Sequence, residues 1–442
     1  MKLVNGSTVA IVGGGPGGTL TAIALLDLAR QLRISLTVDI YEPKKFAATG
    51  PTGCNMCGGV LSESLMQRLA TAGIFLPSTV VIDTINAYIL HTDETSICIE
   101  APGREMRIAT VFRGAGPRGA EQQRPLPWRS FDAHLLELAI EKGARHLPQA
   151  VTGLTREAGL PAVLTQGTTP RPYDLLVGAV GLNQTKSLHM FESLGFGYRR
   201  PPTARAYVAE LYYGEKDVQR YLGHAMHVFL LKIPHLKFAA ITPKGHYATL
   251  VLLGDQIDHH LVAQFFRAHE VQKCLPTGWE IPVQPCHCQP HITIGPAVQP
   301  FGDRVVMVGD TCVSRLYKDG IGAAFQMAKR CALTALLHGI ARQDFQRHYW
   351  PGRRTMLWDN RLGHLLFAMD SLFRYIPPLR RGLMAVLQQE QWQDGQPRPL
   401  STAFWNTFTG SASYTRIARD MFHPALLWRL LRETVKTGRF FR

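Results

Sequence analysis

The apolar positions at the start of the chain change their spacing twice, and the changes outline a first structural unit. A short β-branched run, VAIV, covers residues 9–12 and is followed by a glycine cluster. Apolar side chains then recur with helical spacing, and a second β-rich run covers residues 36–41. This order predicts a strand, a tight turn, a helix and a second strand, which together form a βαβ unit.

Later patterns add more strands and helices in alternating blocks. Residues 128–143 have the spacing of an amphipathic helix that ends at a glycine, and residues 173–181 that of a buried strand running into a glycine turn. Strand patterns dominate residues 204–254, and a long apolar helix is expected over residues 321–339. The chain is therefore expected to pass more than once between two lobes, and substrates tend to bind between such lobes.

These elements predict an α/β fold, with a Rossmann-type nucleotide-binding domain, an inserted antiparallel-sheet substrate domain and a helical C-terminal region. We expect residues 1–185 to form the nucleotide-binding domain, with a first sheet insertion at about 76–99. Residues 186–284 are expected to form the substrate sheet, and residues 285–340 to return to the nucleotide-binding domain. The basic helical region then covers residues 341–442.

Composition places the chain among globular proteins. It has 442 residues, of which 46% are hydrophobic and 18% charged, and no apolar run approaches the roughly 18 residues of a membrane span. Met1 and Lys2 lead directly into the first strand, which leaves no room for a signal peptide, so we expect a cytoplasmic protein. Eight cysteines in such a chain do not form a disulfide scaffold and are expected to be mostly reduced.

The net charge of +15 is concentrated towards the C-terminus. Residues 341–442 contain 16 Lys and Arg against 7 Asp and Glu. Two segments there, 361–384 and 423–442, mix aromatic and aliphatic residues with arginine, which is typical of helices that lie on a membrane surface. Peripheral binding to a membrane is the expected interaction, and a helical cap with a basic outer face is the alternative. No nucleic-acid recognition module is visible.

The glycine cluster has the residue types that a dinucleotide requires. Gly13 permits a tight turn, Gly15 lets a pyrophosphate approach the backbone, and Gly18 lets the helix pack closely on the strand. The helix start favours negative charge, and Glu42, 24 residues after Gly18, is placed to bind an adenosine ribose. The residues assigned to this site are Gly13, Gly15, Pro16, Gly17, Gly18 and Glu42.

A second glycine-rich segment, residues 304–322, suggests that the dinucleotide is FAD. Its hydrophobic strand ends at Asp310, an acid that can bind a ribityl hydroxyl. A helix is expected to open at Ile321, and its N-terminal region, with Gly320, Ile321 and Gly322, can stabilise negative charge on the pyrimidine edge of a flavin. The pairing of this segment with the first glycine cluster favours FAD over other dinucleotides.

Six segments in this order resemble FAD-dependent oxidoreductases of the geranylgeranyl reductase type, within the fold shared with para-hydroxybenzoate hydroxylases. The matching segments are GGGPGG at 13–18 with Glu42, CGGVLS at 57–62, WRSFD at 128–132, residues 174–181, TPKG at 242–245, and Gly309-Asp310 with Gly320 and Gly322.

The resemblance implies non-covalent FAD and a lipophilic substrate, most plausibly an isoprenoid whose carbon–carbon double bond is reduced. It implies that Gly58 and Gly59 run along the flavin, that Cys57 lies beside its ring, and that Arg129 lies near the phosphate and ribityl part. An external electron donor is also implied, such as NAD(P)H, ferredoxin or another carrier.

Several positions depart from related flavoproteins. Only Ser130 separates Arg129 from Phe131, so this helix start is one residue shorter than the family pattern. Flavin hydroxylases usually have an acid where this chain has Val180, and the paired-tryptophan motif of halogenases is absent from the sequence. A monooxygenase acting on an apolar or aromatic substrate is the first alternative function.

The cysteines suggest a second alternative. Cys54 and Cys57 form one closely spaced pair, and Cys286 and Cys288 form another. If the two pairs converge, their thiolates could hold Zn²⁺ or an iron–sulfur cluster, or one pair could act as a redox dithiol. The protein would then transfer electrons to a quinone. Small buried hydrophobic residues are the common alternative role for cysteine.

Overall fold

A computed structural model describes residues 1–103, 107–119, 128–280, 286–393 and 396–439. These residues form two compact units, each assembled from three stretches of chain. Unit 1 comprises residues 1–55, 112–204 and 291–358, and unit 2 comprises residues 56–111, 205–290 and 359–442. The last three residues of the basic segment 423–442 lie outside the described residues.

In chain order, the described strands are β1 (Thr8–Val12), β2 (Thr37–Tyr41), β3 (Val60–Leu61), β4 (Asp83–Ile85), β5 (Ala87–Thr92), β6 (Ser96–Glu100), β7 (Ile108–Thr110), β8 (Arg145–Leu147), β9 (Val151–Glu157), β10 (Leu160–Thr165), β11 (Arg171–Pro172), β12 (Leu175–Gly178), β13 (Thr203–Tyr212), β14 (Ala225–Leu230), β15 (Leu236–Lys244), β16 (Tyr247–Gly254), β17 (Cys286–Cys288), β18 (His291–Thr293), β19 (Phe301–Gly302) and β20 (Val305–Met307).

The described α-helices are α1 (Pro16–Gln31), α2 (Glu63–Thr71), α3 (Phe131–Glu141), α4 (Thr185–Ser193), α5 (Glu215–Tyr221), α6 (His259–Arg267), α7 (His269–Gln272), α8 (Gly320–Leu333), α9 (Arg342–Asp344), α10 (Trp350–Tyr375), α11 (Pro377–Trp392), α12 (Pro399–Thr409), α13 (Tyr414–Met421) and α14 (Pro424–Arg439). The α/β class predicted from the sequence is therefore confirmed.

Unit 1 contains the predicted βαβ unit at the centre of a sheet with strand order β19-β20-β12-β1-β2-β8. Strand β1 pairs in parallel with β2 and with β12, and only the edge strand β19 runs antiparallel to its neighbour. Val9, Ala10 and Ile11 are fully buried, as expected for a central parallel strand covered on both faces. A separate antiparallel sheet, β11-β10-β9, also belongs to unit 1.

Unit 2 is built on a larger sheet with strand order β17-β13-β16-β15-β14-β5-β6. Its strands are antiparallel except for β14 and β5, which pair in parallel. Alternate residues point to opposite faces. One face packs against α5, α6 and α7, and the other packs against the C-terminal helices α11, α12 and α14. A small antiparallel sheet, β3-β7-β4, completes the unit.

The chain passes from one unit to the other at positions that differ from the domain boundaries expected from the sequence. Residues 56–75 belong to unit 2 because β3 pairs with β7. Residues 186–204 belong to unit 1, where Phe191 of α4 packs against Gly178 at the end of β12. The region 341–442 is divided at residue 358, because the buried Tyr349 donates a hydrogen bond to the Met307 carbonyl oxygen of unit 1.

Candidate functional site

The first glycine turn joins β1 to α1 with very little space between them. Gly13 has a φ of 107°, in the region that favours glycine. A Cβ at Gly18 would lie 1.9 Å from the Gly13 carbonyl oxygen, so any other residue would push the helix away from the strand. Helix α1 begins at Pro16 with Gly15 as its N-cap, and it has neither a side-chain cap nor an acidic residue in its first turn. This helix start is therefore suited to binding an anion.

Glu42 follows β2 and is held beneath the glycine turn. Its Oε2 accepts the Gly14 N–H at 2.8 Å, and its Oε1 accepts the Lys44 N–H at 2.9 Å. The side chain is buried, and this desolvation raises the pKa of Glu42 above its ordinary value of 4.5, against the two hydrogen bonds. These two hydrogen bonds fix the carboxylate beside the glycine turn.

A chain of polar side chains begins beside Glu42. The Lys44 ammonium donates to the Cys54 carbonyl oxygen at 2.8 Å and to Asn55 Oδ1 at 3.0 Å. The Asn55 amide donates to Asp132 at the start of α3. Asp132 also accepts two hydrogen bonds from Arg113, at 2.5 and 3.0 Å. Buried charges of this kind require such pairing, so the network gives each of these groups a defined orientation.

Arg113 is in a better position than Arg129 to contact a cofactor in unit 1. Arg129 is exposed and pairs with the exposed Glu137. Arg113 is buried and pairs with Asp132; desolvation raises the pKa of Asp310 above its ordinary value, and Arg113 lies close enough to oppose part of that rise. Sequence reasoning did not single out Arg113. The signal available was its position at the end of an apolar run, where an arginine needs a buried acid as partner.

The second glycine segment lies directly against the first. A Cβ at Gly17 would be 3.7 Å from Gly309 Cα, so the two turns are in contact. Asp310 follows β20, and its side chain is exposed although Gly309 and Thr311 beside it are buried. Because β2 and β20 belong to one parallel arrangement, Glu42 and Asp310 both follow carboxyl ends of strands, where ligands bind in open α/β sheets.

Helix α8 begins at Gly320, one residue before the start at Ile321 that the sequence predicted, and includes Ile321 and Gly322 in its first turn. Asp319 is its N-cap: it adopts a left-handed conformation with φ of 52°, and its Oδ1 accepts the Gly322 N–H at 3.2 Å. Arg315 pairs with the same carboxylate at 3.3 Å. The helix start thus carries an acid that the sequence-based prediction did not assign.

The CGGV loop, residues 57–60, lies in unit 2 and is held by a buried lysine. Cys57 is half-buried, and its Sγ accepts the Gly59 N–H at 3.5 Å. Gly59 has a φ of 70°, and a Cβ there would lie 2.0 Å from the Val111 carbonyl oxygen. The Lys244 ammonium donates to the Gly58 carbonyl oxygen at 3.0 Å. The loop conformation therefore depends on glycine and on Lys244.

Lys244 is one of the most buried cations among the described residues, with 1% of its side chain exposed. It pairs with Glu210 at 3.0 Å, and Glu210 also accepts a hydrogen bond from Thr249 at 2.7 Å. The sequence indicated a turn at 242–245. In the structure Lys244 is the last residue of β15, so its side chain lies on the sheet face that contacts the loop.

The two cysteine pairs considered as a metal or cluster site lie in different parts of the chain, with Cys54 and Cys57 between β2 and β3. Cys286 and Cys288 lie two residues apart on β17. Within the described residues, the one group of His, Cys, Asp or Glu side chains with metal-ligand spacing consists of His91, His227 and Cys274. None of the four predicted cysteines belongs to it.

An apolar cavity of about 560 Å³, measured with its solvent-open part, lies within unit 2. It lies between the β14–β15 end of the sheet and side chains of α10 and α12, and it is lined mainly by aromatic residues. The lining includes Leu230, Phe238, Phe367, Phe373, Phe404 and Phe408.

Across the described residues, no helix is long and apolar enough to cross a membrane.

No protein-family model and no curated protein matches the chain. Solved structures do match. A geranylgeranyl bacteriochlorophyll reductase-like protein from Thermoplasma acidophilum has a TM-score of 0.64 and 14% identity, over 98% of this chain and 100% of that one. A 2-methyl-3-hydroxypyridine-5-carboxylic acid oxygenase has a TM-score of 0.61 and 15% identity, over 84% and 94%.

A flavin-dependent brominase has a TM-score of 0.58 and 14% identity, over 97% of this chain and 93% of that one. The chain thus has the fold of flavin-dependent reductases, oxygenases and halogenases. The resemblance in fold to the geranylgeranyl reductase type, predicted from six short segments, is confirmed.

Proposed function

We propose that the chain is an FAD-dependent oxidoreductase that reduces carbon–carbon double bonds of an isoprenoid or similar lipophilic substrate. The observation that carries the proposal is the contact between the two glycine turns. It brings Gly17 against Gly309, and it places Glu42 and Asp310 at the same end of one parallel sheet. This edge is where dinucleotides bind in folds of this class.

The residues fit FAD. The start of α1, with Gly13, Gly15, Pro16, Gly17 and Gly18, would hold the pyrophosphate, and Glu42 would bind the adenosine ribose. Asp310, with Arg113 close to it, would bind the ribityl part, and the start of α8 would face the pyrimidine edge. When bound, FAD supplies hydride transfer to or from the substrate.

Cys57, Gly58 and Gly59 are proposed to lie along the flavin ring, with Lys244 as a positioning residue. Removing the Lys244 ammonium would release the Gly58 carbonyl oxygen and leave Glu210 buried without its partner. The role proposed for Cys57 follows from the resemblance. Its thiol is half-buried, so it has the access that contact with a ligand requires.

The apolar cavity of unit 2 supports a lipophilic substrate. Its lining of phenylalanines offers no charged partner except Lys237, so an uncharged hydrocarbon chain suits it better than a polar metabolite. Thr407→Trp should fill this cavity. We expect KM for a long-chain substrate to rise at least tenfold, while reduction of the bound flavin by dithionite is unchanged. An unchanged KM would remove the cavity from the proposal.

Anaerobic reduction followed by reoxidation tests the reaction. The FAD-reconstituted full chain is reduced with dithionite and mixed with polyprenyl lipids that carry conjugated or isolated double bonds. Reoxidation of the flavin, with a lipid product heavier by two hydrogens, is expected. Productive reoxidation only by molecular oxygen with an aromatic co-substrate would establish the monooxygenase instead. Failure to bind FAD would refute the flavoprotein proposal altogether.

Peripheral membrane association is the second part of the proposal. Helix α14 exposes Leu427, Trp428, Leu431 and Val435, while Leu426 and Leu430 on its other side are buried. Arg432 and Lys436 of the same helix are exposed, and both pair with Glu433. Apolar groups that enter a bilayer, with cations beside them to meet phosphates, suit an anionic lipid surface from which a lipophilic substrate would be taken.

A further inference from the structure

A triangle of side chains of the types that bind metals lies in the core of unit 2, and none of its members is assigned to FAD. His91 is on β5, His227 is on the neighbouring strand β14, and Cys274 follows α7. All three are buried, and the ligand atoms lie within 4.8 Å of one another. The distances are 2.9 Å from His91 Nε2 to His227 Nδ1, 3.2 Å from His227 Nδ1 to Cys274 Sγ, and 3.8 Å from Cys274 Sγ to His91 Nε2.

Hydrogen bonds on the outer side of each ring determine which nitrogens carry protons. His227 Nε2 lies 3.3 Å from the Leu222 carbonyl oxygen, which only accepts, so that nitrogen is the donor. His91 Nδ1 lies 2.7 Å from Ser96 Oγ, and the Ser96 hydroxyl donates its single proton to Glu270 at 3.0 Å. His91 Nδ1 must then be the donor to Ser96.

The two nitrogens that face each other across the triangle are therefore both bare. His91 Nε2 and His227 Nδ1 point lone pairs at each other over 2.9 Å, which is repulsive. The only proton available inside the triangle is that of the Cys274 thiol, and one proton cannot satisfy two acceptors. A cation between the three atoms removes the conflict, because each atom then donates its lone pair to the ion.

We propose that His91 Nε2, His227 Nδ1 and Cys274 Sγ bind one thiophilic d¹⁰ cation, Cu(I) or Zn²⁺. Imidazole and thiolate ligands select these ions over Mg²⁺ and Ca²⁺. Bonds of about 2.0–2.1 Å to nitrogen and about 2.3 Å to sulfur imply ligand atoms roughly 3.3–3.7 Å apart. The three observed separations lie on either side of this range, so small movements would complete the site.

The surroundings have the features of a supporting shell around a metal. The carboxylate–serine–histidine chain from Glu270 through Ser96 fixes the His91 ring, and the Leu222 carbonyl oxygen fixes His227. Phe229 stacks on His91, with ring centroids 4.6 Å apart. Both rings are buried, which disfavours their charged forms and favours neutral imidazole ligands.

Charge and ligand number distinguish the two ions. Cu(I) with one thiolate forms a neutral centre and accepts three ligands, which matches a dry apolar pocket. Zn²⁺ with one thiolate keeps a positive charge and requires a fourth ligand. Because the thiolate is the ligand, binding of either ion must release the Cys274 thiol proton.

Metal analysis of the full-length flavoprotein tests the site. The protein is loaded separately with Zn²⁺ alone and with Cu(I) alone under anaerobic, reducing conditions, then desalted and measured by mass spectrometry of the metal. One retained equivalent of either ion per chain is expected. Absorption-edge spectroscopy should show two nitrogen ligands and one sulfur ligand, and the retained ion identifies the occupant.

Matched variants separate specific binding from adventitious binding. Cys274→Ser and His227→Gln should lose the retained metal, whereas Cys331→Ala, which changes another buried cysteine, should keep it. Ser96→Ala keeps all three ligand atoms and should weaken affinity about 10- to 100-fold by releasing the His91 ring. Circular dichroism and flavin content confirm folding of each variant.

Two results would overturn the proposal. In the first, wild-type protein retains neither ion, which would mean that Ser96 donates to His91 and that the triangle is an ordinary hydrogen-bonded cluster. In the second, Cys274→Ser and His227→Gln retain as much metal as the wild type, with folding intact.

Discussion

The carboxylate of Glu42 links strand β2 to the glycine turn through two backbone N–H groups. In the proposed function its ionised carboxylate accepts hydrogen bonds from ribose hydroxyls, and burial raises its pKa above 4.5. FAD affinity should therefore fall as the pH drops through this raised pKa. Glu42→Gln should bind FAD about 10- to 100-fold more weakly at pH 7, with no such pH dependence.

Titration of FAD fluorescence quenching from pH 4 to pH 8 measures this effect. The free energy of unfolding of the apoprotein should have the opposite pH dependence to FAD affinity. Because the folded-state pKa of Glu42 is raised, Glu42 stabilises the folded apoprotein below about pH 4.5. This stabilisation is lost as the pH rises through the folded-state pKa. Asp83→Asn is the matched control, since burial also raises the pKa of that carboxyl group in unit 2. An Asp83 variant that abolished the pH dependence of FAD binding would contradict the assignment.

The Lys244–Glu210 pair should be costly to break on one side only. Lys244→Met leaves a mostly buried carboxylate without its cation, so we expect a loss of about 3 kcal/mol in the free energy of unfolding. The double variant Lys244→Met/Glu210→Gln should recover most of that loss. Urea denaturation measures all three proteins.

The exposed ion pair of Lys237 with Asp255 on the same sheet is the control, and Lys237→Met should change stability by less than about 1 kcal/mol. Equal effects of Lys237→Met and Lys244→Met would show that burial of Lys244 does not matter. Flavin spectra of the two variants report separately on the CGGV loop.

At the scale of elements, α14 presents an apolar stripe that a lipid surface would cover. Trp428→Ser/Leu431→Ser should lower binding to anionic vesicles at least tenfold, since burial of each side chain is worth about 1.5–3 kcal/mol. Co-sedimentation with vesicles of mixed phosphatidylglycerol and phosphatidylcholine measures it. Phe75→Ser removes a comparably exposed aromatic residue elsewhere in unit 2 and should leave binding unchanged. Equal loss in both variants would exclude α14 as the contact.

Local sterics explain why the glycine turns were predictable. The positions of Gly13 and Gly18 follow from how closely a helix can approach a strand, which depends on a few neighbouring residues. The start of α8 was predictable to within one residue for the same reason, at Ile321 instead of Gly320. Arg113 was not, because its place beside Asp132 depends on hydrogen bonds between residues distant in sequence: the Ser130 hydroxyl donates to the Arg113 carbonyl oxygen at 2.8 Å.

The His91, His227 and Cys274 triangle was also not predictable, because it too depends on contacts between residues distant in sequence. Its members come from three distant segments and have no spacing motif. The pairing of β5 with β14 brings the two histidines together, and the packing of the segment after α7 on that sheet adds Cys274. The closely spaced cysteines at 54–57 and 286–288 were the stronger signal in the sequence. The described residues nevertheless place the metal-ligand geometry elsewhere.

At the scale of the whole molecule, unit 2 depends on its last helices. Leu383, Leu387 and Trp405 are at most 1% exposed and share one apolar cluster with Tyr88 and Leu90. Removing residues 377–442 should expose this cluster and give insoluble or protease-sensitive protein. Soluble yield and limited proteolysis measure the outcome, and removal of residues 440–442 is the control. A soluble, protease-resistant protein ending at residue 376 would contradict the expected dependence.

The parallel pairing of β5 with β14 has a consequence for synthesis on the ribosome. Strand β5 leaves the exit tunnel long before its neighbour β14, and the helices that cover their apolar face emerge later still. Tyr88 and Leu90 therefore remain unpacked in the nascent chain until the residues that cover them have been synthesised. Growing chains of this protein should bind chaperones over most of their translation, and slowing elongation should not help unit 2 to fold early.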